Sequence, residues 1–240
     1  MHLKLAIGMA VLAVALYAFY QYALIARAIA AGKPLVAAAV PYEQHPANAA
    51  HFILVMGDST AVGVGAATSS ESLAGRVGAY YPDADVENLG ASGAQLPDLL
   101  GTIPSVPRDQ YDLILLQIGA NDVVYGSVGM AQMRISEALA WASAHSGRVI
   151  LLTAGNIGLS PVFKWPLSLY MTHRTLALRS IFMTEAAAFP NVSYVDLYLS
   201  KEDDPFGKDV PHYYAPDRFH PSSSGYAYWF DSVKRYLPAL

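Results

Sequence analysis

Apolar residues follow different patterns in different parts of the chain. Residues 5–26 form an unbroken run of 22 without a formal charge, and Gln21 is its only strongly polar member. As a helix this run spans ~33 Å, enough to cross the hydrocarbon layer of a bilayer. Lys4 precedes it and Arg27 and Lys33 follow it, while Tyr17, Phe19, Tyr20 and Tyr22 gather toward its end as in an interfacial aromatic belt. Residues 32–48 hold Pro34, Pro41 and Pro46 among alanines with no sustained period, and read as a spacer.

From residue 51 the pattern becomes an alternation. Short apolar runs at 51–56, 86–89, 111–118, 148–153 and 192–197 predict strands, the third nearly all apolar, as in a strand covered on both faces. Helical periods between them predict helices at 71–81, 96–102, 130–144, 171–189 and 223–236, with stops at Pro82, Pro104 and Pro190. A helix-like turn covers 61–65, the stretch 159–170 reads as irregular and apolar, and 200–220 reads as a loop.

This alternation predicts an α/β fold: a parallel sheet of about five strands with helices on both faces, preceded by an N-terminal hydrophobic helix. The expected division is an anchor or signal segment at 1–30, a linker at 31–50 and the main domain at 51–240. Ligands of such sheets bind beyond the C-terminal strand ends. Ser59, Gly90, Asn121 and Asn156 each fall just past one of those ends.

Composition narrows the function classes. Hydrophobic residues make up 54% of the 240 and charged residues only 14%, in keeping with a lipid-facing segment and a buried sheet. The net charge of −4, with no basic cluster, argues against a nucleic-acid partner. The absence of cysteine removes disulfides, thiolate zinc sites and a cysteine nucleophile.

The first strand runs into Gly57-Asp58-Ser59. A serine there can cap the following helix, or attack a substrate held where free N–H groups stabilise negative charge. Attack needs a base to take the proton and a carboxylate to orient that base. Asp217-Arg218-Phe219-His220, just before the last helix, offers both.

Gly57-Asp58-Ser59, Asn88-Leu89-Gly90-Ala91-Ser92-Gly93, Gly119-Ala120-Asn121-Asp122 and Asp217-Arg218-Phe219-His220 resemble, in order, the four sequence blocks of the SGNH (GDSL-type) serine hydrolases. That family comprises esterases, lipases, acetylhydrolases and thioesterases on a flavodoxin-like, doubly wound sheet, and the resemblance covers about residues 51–240. It implies Ser59 as nucleophile, His220 as general base and then acid, and Asp217 as the orienting carboxylate. It further implies an oxyanion hole from the Ser59 and Gly90 backbone N–H groups and the Asn121 side-chain amide. Glycine allows close backbone approach, and asparagine supplies an uncharged donor.

Other polar residues have plainer expected roles. Asp58 and Asp122 are expected to bind loop N–H groups, Asn88 and Ser92 to scaffold their loop, and Gly93 and Gly119 to meet backbone needs. His212 lies near Asp209 and Asp217, but no metal and no cofactor is expected, because Asp217 already has a role. Residues 201–204 read as a solvated face, and 159–170 as either an acyl-pocket wall, a membrane contact or a simple cover for the sheet.

The expected activity is hydrolysis of carboxylic esters through an acyl-enzyme. The alternatives are an acyltransferase using the same triad and a catalytically silent anion- or ligand-binding protein. Expected partners are a small-molecule, lipid or O-acylated glycan ester, and a membrane reached through residues 5–26. The domain is expected outside the cytoplasm, with secretion after cleavage near Ala30 as the alternative. No Gly-x-Ser-x-Gly occurs, which disfavours an α/β-hydrolase.

Overall fold

The computed structural model describes residues 2–240, so the first residue of the expected anchor segment lies outside the described residues. At its centre is a five-stranded sheet in the order β2-β1-β3-β4-β5, every neighbouring pair parallel. The strands are β1 (His51–Gly57), β2 (Ala84–Gly90), β3 (Tyr111–Gln117), β4 (Ser146–Leu152) and β5 (Val192–Val195). In chain order the helices are α1 (His2–Ala38), α2 (Ser59–Val62), α3 (Leu73–Tyr80), α4 (Leu96–Thr102), α5 (Ala120–Val124), α6 (Val128–Ala144), α7 (Leu167–Ala186), α8 (Pro205–Lys208), α9 (Val210–Tyr213) and α10 (Ser223–Val233).

Side chains alternate across the sheet and divide the core in two. Leu54 and Met56 of β1 pack with Leu96, Ile135 and Leu178 on one face, while Ile53 and Val55 pack with Val77, Tyr226 and Trp229 on the other. Ile53, Leu54 and Val55 expose no surface. Burying each contributes ~1.5–3 kcal/mol. Since β2 and β3 flank β1 on opposite sides, the chain reverses its direction of travel there and leaves a crevice at the C-terminal strand ends.

Helix α1 continues through Pro34 and past the expected end of the hydrophobic segment. Tertiary contacts explain the extension. Tyr17, Gln21, Ile25, Ala28 and Gly32 recur every three or four residues and so share one helix face. Tyr17 Oη donates to the Lys164 carbonyl (3.0 Å) and accepts from the Leu167 N–H (3.2 Å). Gln21 donates through Nε2 to the Val162 carbonyl (2.7 Å) and accepts through Oε1 from the Lys164 N–H (2.9 Å). Ile25 and Ala28 pack on the core, and Gly32 is buried. Residues 2–16 of the same helix are exposed throughout. The helix is long and apolar enough to cross a membrane.

Residues 39–50, expected as part of a spacer, lie along the sheet edge. Gln44 bridges Val86 of the edge strand β2, and its amide donates to the Tyr81 (3.0 Å), Pro82 (3.2 Å) and Ala84 (2.8 Å) carbonyls. Covering this edge satisfies backbone groups that would otherwise be open to another chain.

Candidate active site

The first strand delivers Ser59 through a turn that requires glycine. Gly57 has φ +143°, and a Cβ there would collide with the Gln117 carbonyl oxygen across the sheet. Asp58 caps α2: its Oδ1 accepts from the Thr60 N–H (2.9 Å) and the Thr60 hydroxyl (2.8 Å). Ser59 is therefore the first residue of a helix, with its own N–H outside the intrahelical hydrogen bonds. Burial pushes the Asp58 carboxyl up to about 6, despite the hydrogen bonds from Thr60.

His220 and Asp217 come from a tight turn before α10. Arg218, at φ +60°, forms its left-handed corner, the Arg218 N–H donates to the Ala215 carbonyl (2.8 Å), and the Ala215 N–H donates to the His220 carbonyl (2.9 Å). The Ser160 hydroxyl holds the corner from outside by donating to the Arg218 carbonyl (2.9 Å). His220 Nε2 lies 2.9 Å from Ser59 Oγ, and His220 Nδ1 lies 2.5 Å from Asp217 Oδ2. Asp217 Oδ1 accepts from the Phe219 and His220 N–H groups, each at 3.0 Å. Burial alone would raise the Asp217 carboxyl, but the His220 ring and these two N–H groups outweigh it and hold the carboxyl below its ordinary range.

The remaining expected donors are arranged less simply. Asn121, in the first turn of α5, uses Nδ2 to donate to the Ala94 carbonyl (3.1 Å), which leaves the second hydrogen of that amide for another acceptor. The Gly90 N–H already donates to Asn88 Oδ1 (3.0 Å), while Asn88 Nδ2 donates to the Ala61 carbonyl (2.9 Å). Gly93, at φ +86°, occupies the exposed left-handed corner of the same loop, and its N–H has no backbone or side-chain acceptor among the described residues.

Asp122 receives the Leu96 N–H on both oxygens (3.2 Å each) and so ties the third block to the start of α4. Asn156 accepts from the Gly158 N–H (3.1 Å) and the Thr172 hydroxyl (2.9 Å). It also lines the cleft above Ser59 and His220, a space of about 620 Å³ including its open mouth. Ile157, Leu197, Phe206, Phe219 and Trp229 give this cleft a largely apolar wall.

Three features lay outside the sequence expectations. Asp204, expected on a solvated face, is buried: its Oδ1 accepts from the Phe206 N–H (2.8 Å), it caps α8, and it lines the cleft. The Asp-Pro step was the available signal, since proline suits the first turn of a helix opened by a capping aspartate. Tyr226, fully buried, donates to the Val64 carbonyl (2.8 Å), and burial with the nearby Asp58 and Asp217 charges pushes its hydroxyl well above its ordinary value. Gly32 of α1 abuts Asp217: a Cβ there would stand 3.2 Å from Asp217 Oδ2, the oxygen that meets His220 Nδ1.

His212 does not gather ligands around itself. Asp209 Oδ1 accepts the His212 backbone N–H (3.3 Å) as a helix cap, and no group of three or more His, Asp or Glu able to hold a metal occurs among the described residues.

The model of the GDSL-like lipase/acylhydrolase family matches residues 55–228. No curated protein sequence matches the chain. Among solved structures, a lipolytic G-D-S-L family protein from Veillonella parvula is similar with a TM-score of 0.61 at 19% identity, over 79% of this chain and 99% of that one. The acetylxylan esterase of Geobacillus stearothermophilus is similar with a TM-score of 0.56 at 20% identity, over 80% of this chain and 96% of that one. A phospholipase A1 from Streptomyces albidoflavus is similar with a TM-score of 0.64 at 16% identity, over 79% of this chain and 100% of that one. At these identities the likeness is one of fold.

Proposed function

The chain belongs to the GDSL-like lipase/acylhydrolase family, and from that premise we propose that it is a membrane-anchored serine hydrolase that cleaves carboxylic esters. The observation that carries this reading is the relay of Ser59 Oγ to His220 Nε2 at 2.9 Å and His220 Nδ1 to Asp217 Oδ2 at 2.5 Å. Ser59 Oγ attacks the ester carbonyl while His220 takes its proton. The protonated ring then gives that proton to the departing alcohol, leaving an acyl group on Ser59. Water, deprotonated by the same nitrogen, releases the acid. Asp217 holds the imidazole in one tautomer and stabilises its charged form.

The tetrahedral oxyanion is bound by the Ser59 N–H and the free hydrogen of the Asn121 amide. Gly90 was the expected third donor, but its N–H is engaged by Asn88. It stays the third donor we propose, since Gly90 pairs with Gly57 across β1 and β2, two residues from Ser59, and its hydrogen bond to the Asn88 side chain can be exchanged for one to the oxyanion.

Two of the similar structures are described as an acetylxylan esterase and a phospholipase A1, a glycan ester and a lipid ester. We carry over what they share, a carboxylic ester of a larger polar or amphiphilic molecule. The docking of Ile25, Ala28 and Gly32 against the domain favours an uncleaved anchor, since cleavage near Ala30 would divide the packed stripe.

The test uses the full chain in detergent, because α1 contacts Asp217. Wild type is expected to hydrolyse p-nitrophenyl acetate and to react with a fluorophosphonate, and Ser59→Ala to lose both. A wild type inert to both reagents would favour the ligand-binding alternative.

A further inference from the structure

We propose that the segment from Phe163 to Tyr170, at the start of α7, is seated in the interfacial layer of the bilayer that α1 crosses, with Trp165, Leu169 and Tyr170 in contact with lipid. The proposal rests on the reading of α1 as a membrane anchor and adds to it the depth at which the domain sits.

The argument is one of length. A helix needs about 20 residues to cross the ~30 Å hydrocarbon layer. Between the charge of Lys4 and the contact residue Tyr17 stand the 12 residues 5–16. They span only ~18 Å. The hydrocarbon boundary must then lie beyond Tyr17, near Gln21 for the shortest spanning helices of ~17 residues. Yet Tyr17 and Gln21 are the residues that bind the backbone of Val162, Lys164 and Leu167. A loop tied to the helix at that level cannot stand clear of the membrane surface.

The chemistry of the contact agrees with this depth. At the lipid boundary an irregular backbone is tolerated only where protein covers its polar groups. Gln21, the one strongly polar side chain of the run, covers a carbonyl and an N–H of the loop and is itself 5% exposed. The opposite surface of the loop is bare: Trp165 is 76% exposed, Leu169 50% and Tyr170 55%. Aromatic rings with a polar edge suit the headgroup layer, and the exposed Lys164 beside them can reach lipid phosphates. On its inner side Phe163 meets Phe219, a residue of the cleft wall, edge to face at 6.4 Å, so the seat stands one side chain behind the cleft.

The chain has no cysteine, so single labels can be placed without background. Nitroxide labels at Trp165→Cys and Leu169→Cys, at Val11→Cys in the exposed part of α1, and at Tyr80→Cys on α3 are compared in the full chain. The protein is reconstituted in vesicles of phosphatidylcholine and phosphatidylglycerol. Labels at 165 and 169 should fall between the other two: more collisions with oxygen and severalfold fewer with a water-soluble nickel chelate than the label at 80, but fewer with oxygen than the label at 11. A lipid-like label at 11 beside water-like labels at 165 and 169 would overturn the seat while sparing the anchor. A water-like label at 11 would show the anchor reading itself to be wrong, and the seat with it.

Discussion

Asp58 offers a quantitative check on how the Ser59 loop is built. Its carboxyl is buried, and its folded value of about 6 stands above the ordinary 3.8. Below 3.8 the carboxyl is protonated in both folded and unfolded chains and costs nothing. As pH rises toward 6 the unfolded chain releases its proton first, so the folded state loses stability over that window and no further above it. At 1.36 kcal/mol per pKa unit, the loss amounts to about 3 kcal/mol. Asp58→Asn keeps an acceptor for the Thr60 N–H and hydroxyl but removes the titration. The stability of Asp58→Asn relative to wild type should therefore climb by about 3 kcal/mol between pH 3.5 and 7, whatever constant offset the amide introduces. For a chain of this size that is a relative gain of about 6–12 °C in Tm. Thermal melts of both full-length proteins in the same detergent, taken across this pH range, measure it. Parallel curves would refute the account of Asp58 as a buried, costly cap.

The acid and donor assignments make further commitments. Asp217→Asn should cut kcat by about 10³- to 10⁴-fold, by releasing the wrong imidazole tautomer. Because the folded carboxyl is held low, the stability it contributes is present above the ordinary carboxylate range and lost as pH falls through its folded value, so wild-type and Asp217→Asn melts should converge in acid. Asn121→Ala should lower kcat for p-nitrophenyl acetate by about 10²- to 10³-fold with little change in KM. Gly32→Leu should lower kcat while sparing KM, because the new side chain presses on the oxygen that orients His220, and Gly32→Ala, whose Cβ alone would stand 3.2 Å from that oxygen, should show a smaller loss of the same kind. An equal fall in both parameters, or unchanged kinetics, would remove Gly32 as a positioning residue.

Much of this architecture is legible in the chain because its signals are local. Strand β3 is an apolar run that no other element could house, and α4 begins and ends where Leu96 to Thr102 predict. The Ser59, Asn121 and His220 loops could be located because each follows a strand or precedes a helix, and the four blocks arrive in order. What stayed hidden depends on contacts between distant residues. The stripe from Tyr17 to Gly32 carries a tyrosine, a glutamine, an isoleucine, an alanine and a glycine, which share no hydropathy. Only their distant partners make them one face: the loop at 162–167 for Tyr17 and Gln21, the core for Ile25 and Ala28, and Asp217 for Gly32. Helix α7 likewise begins at Leu167, four residues ahead of the expected 171, where the Tyr17 hydroxyl takes up its first N–H. The engagement of the Gly90 N–H by Asn88 is a side-chain choice that no block pattern encodes. Asp204 was legible in principle, through its Asp-Pro step, but was masked by the charged residues before it.

The central claim is that one hydroxyl, at Ser59, is made nucleophilic by His220. Peptide mass mapping of the full chain after reaction with a fluorophosphonate tests it most directly. The account predicts a single adduct on the peptide bearing Ser59, absent from His220→Ala under the same conditions. An adduct on any other residue, or undiminished labelling of Ser59 once the imidazole is gone, would contradict it.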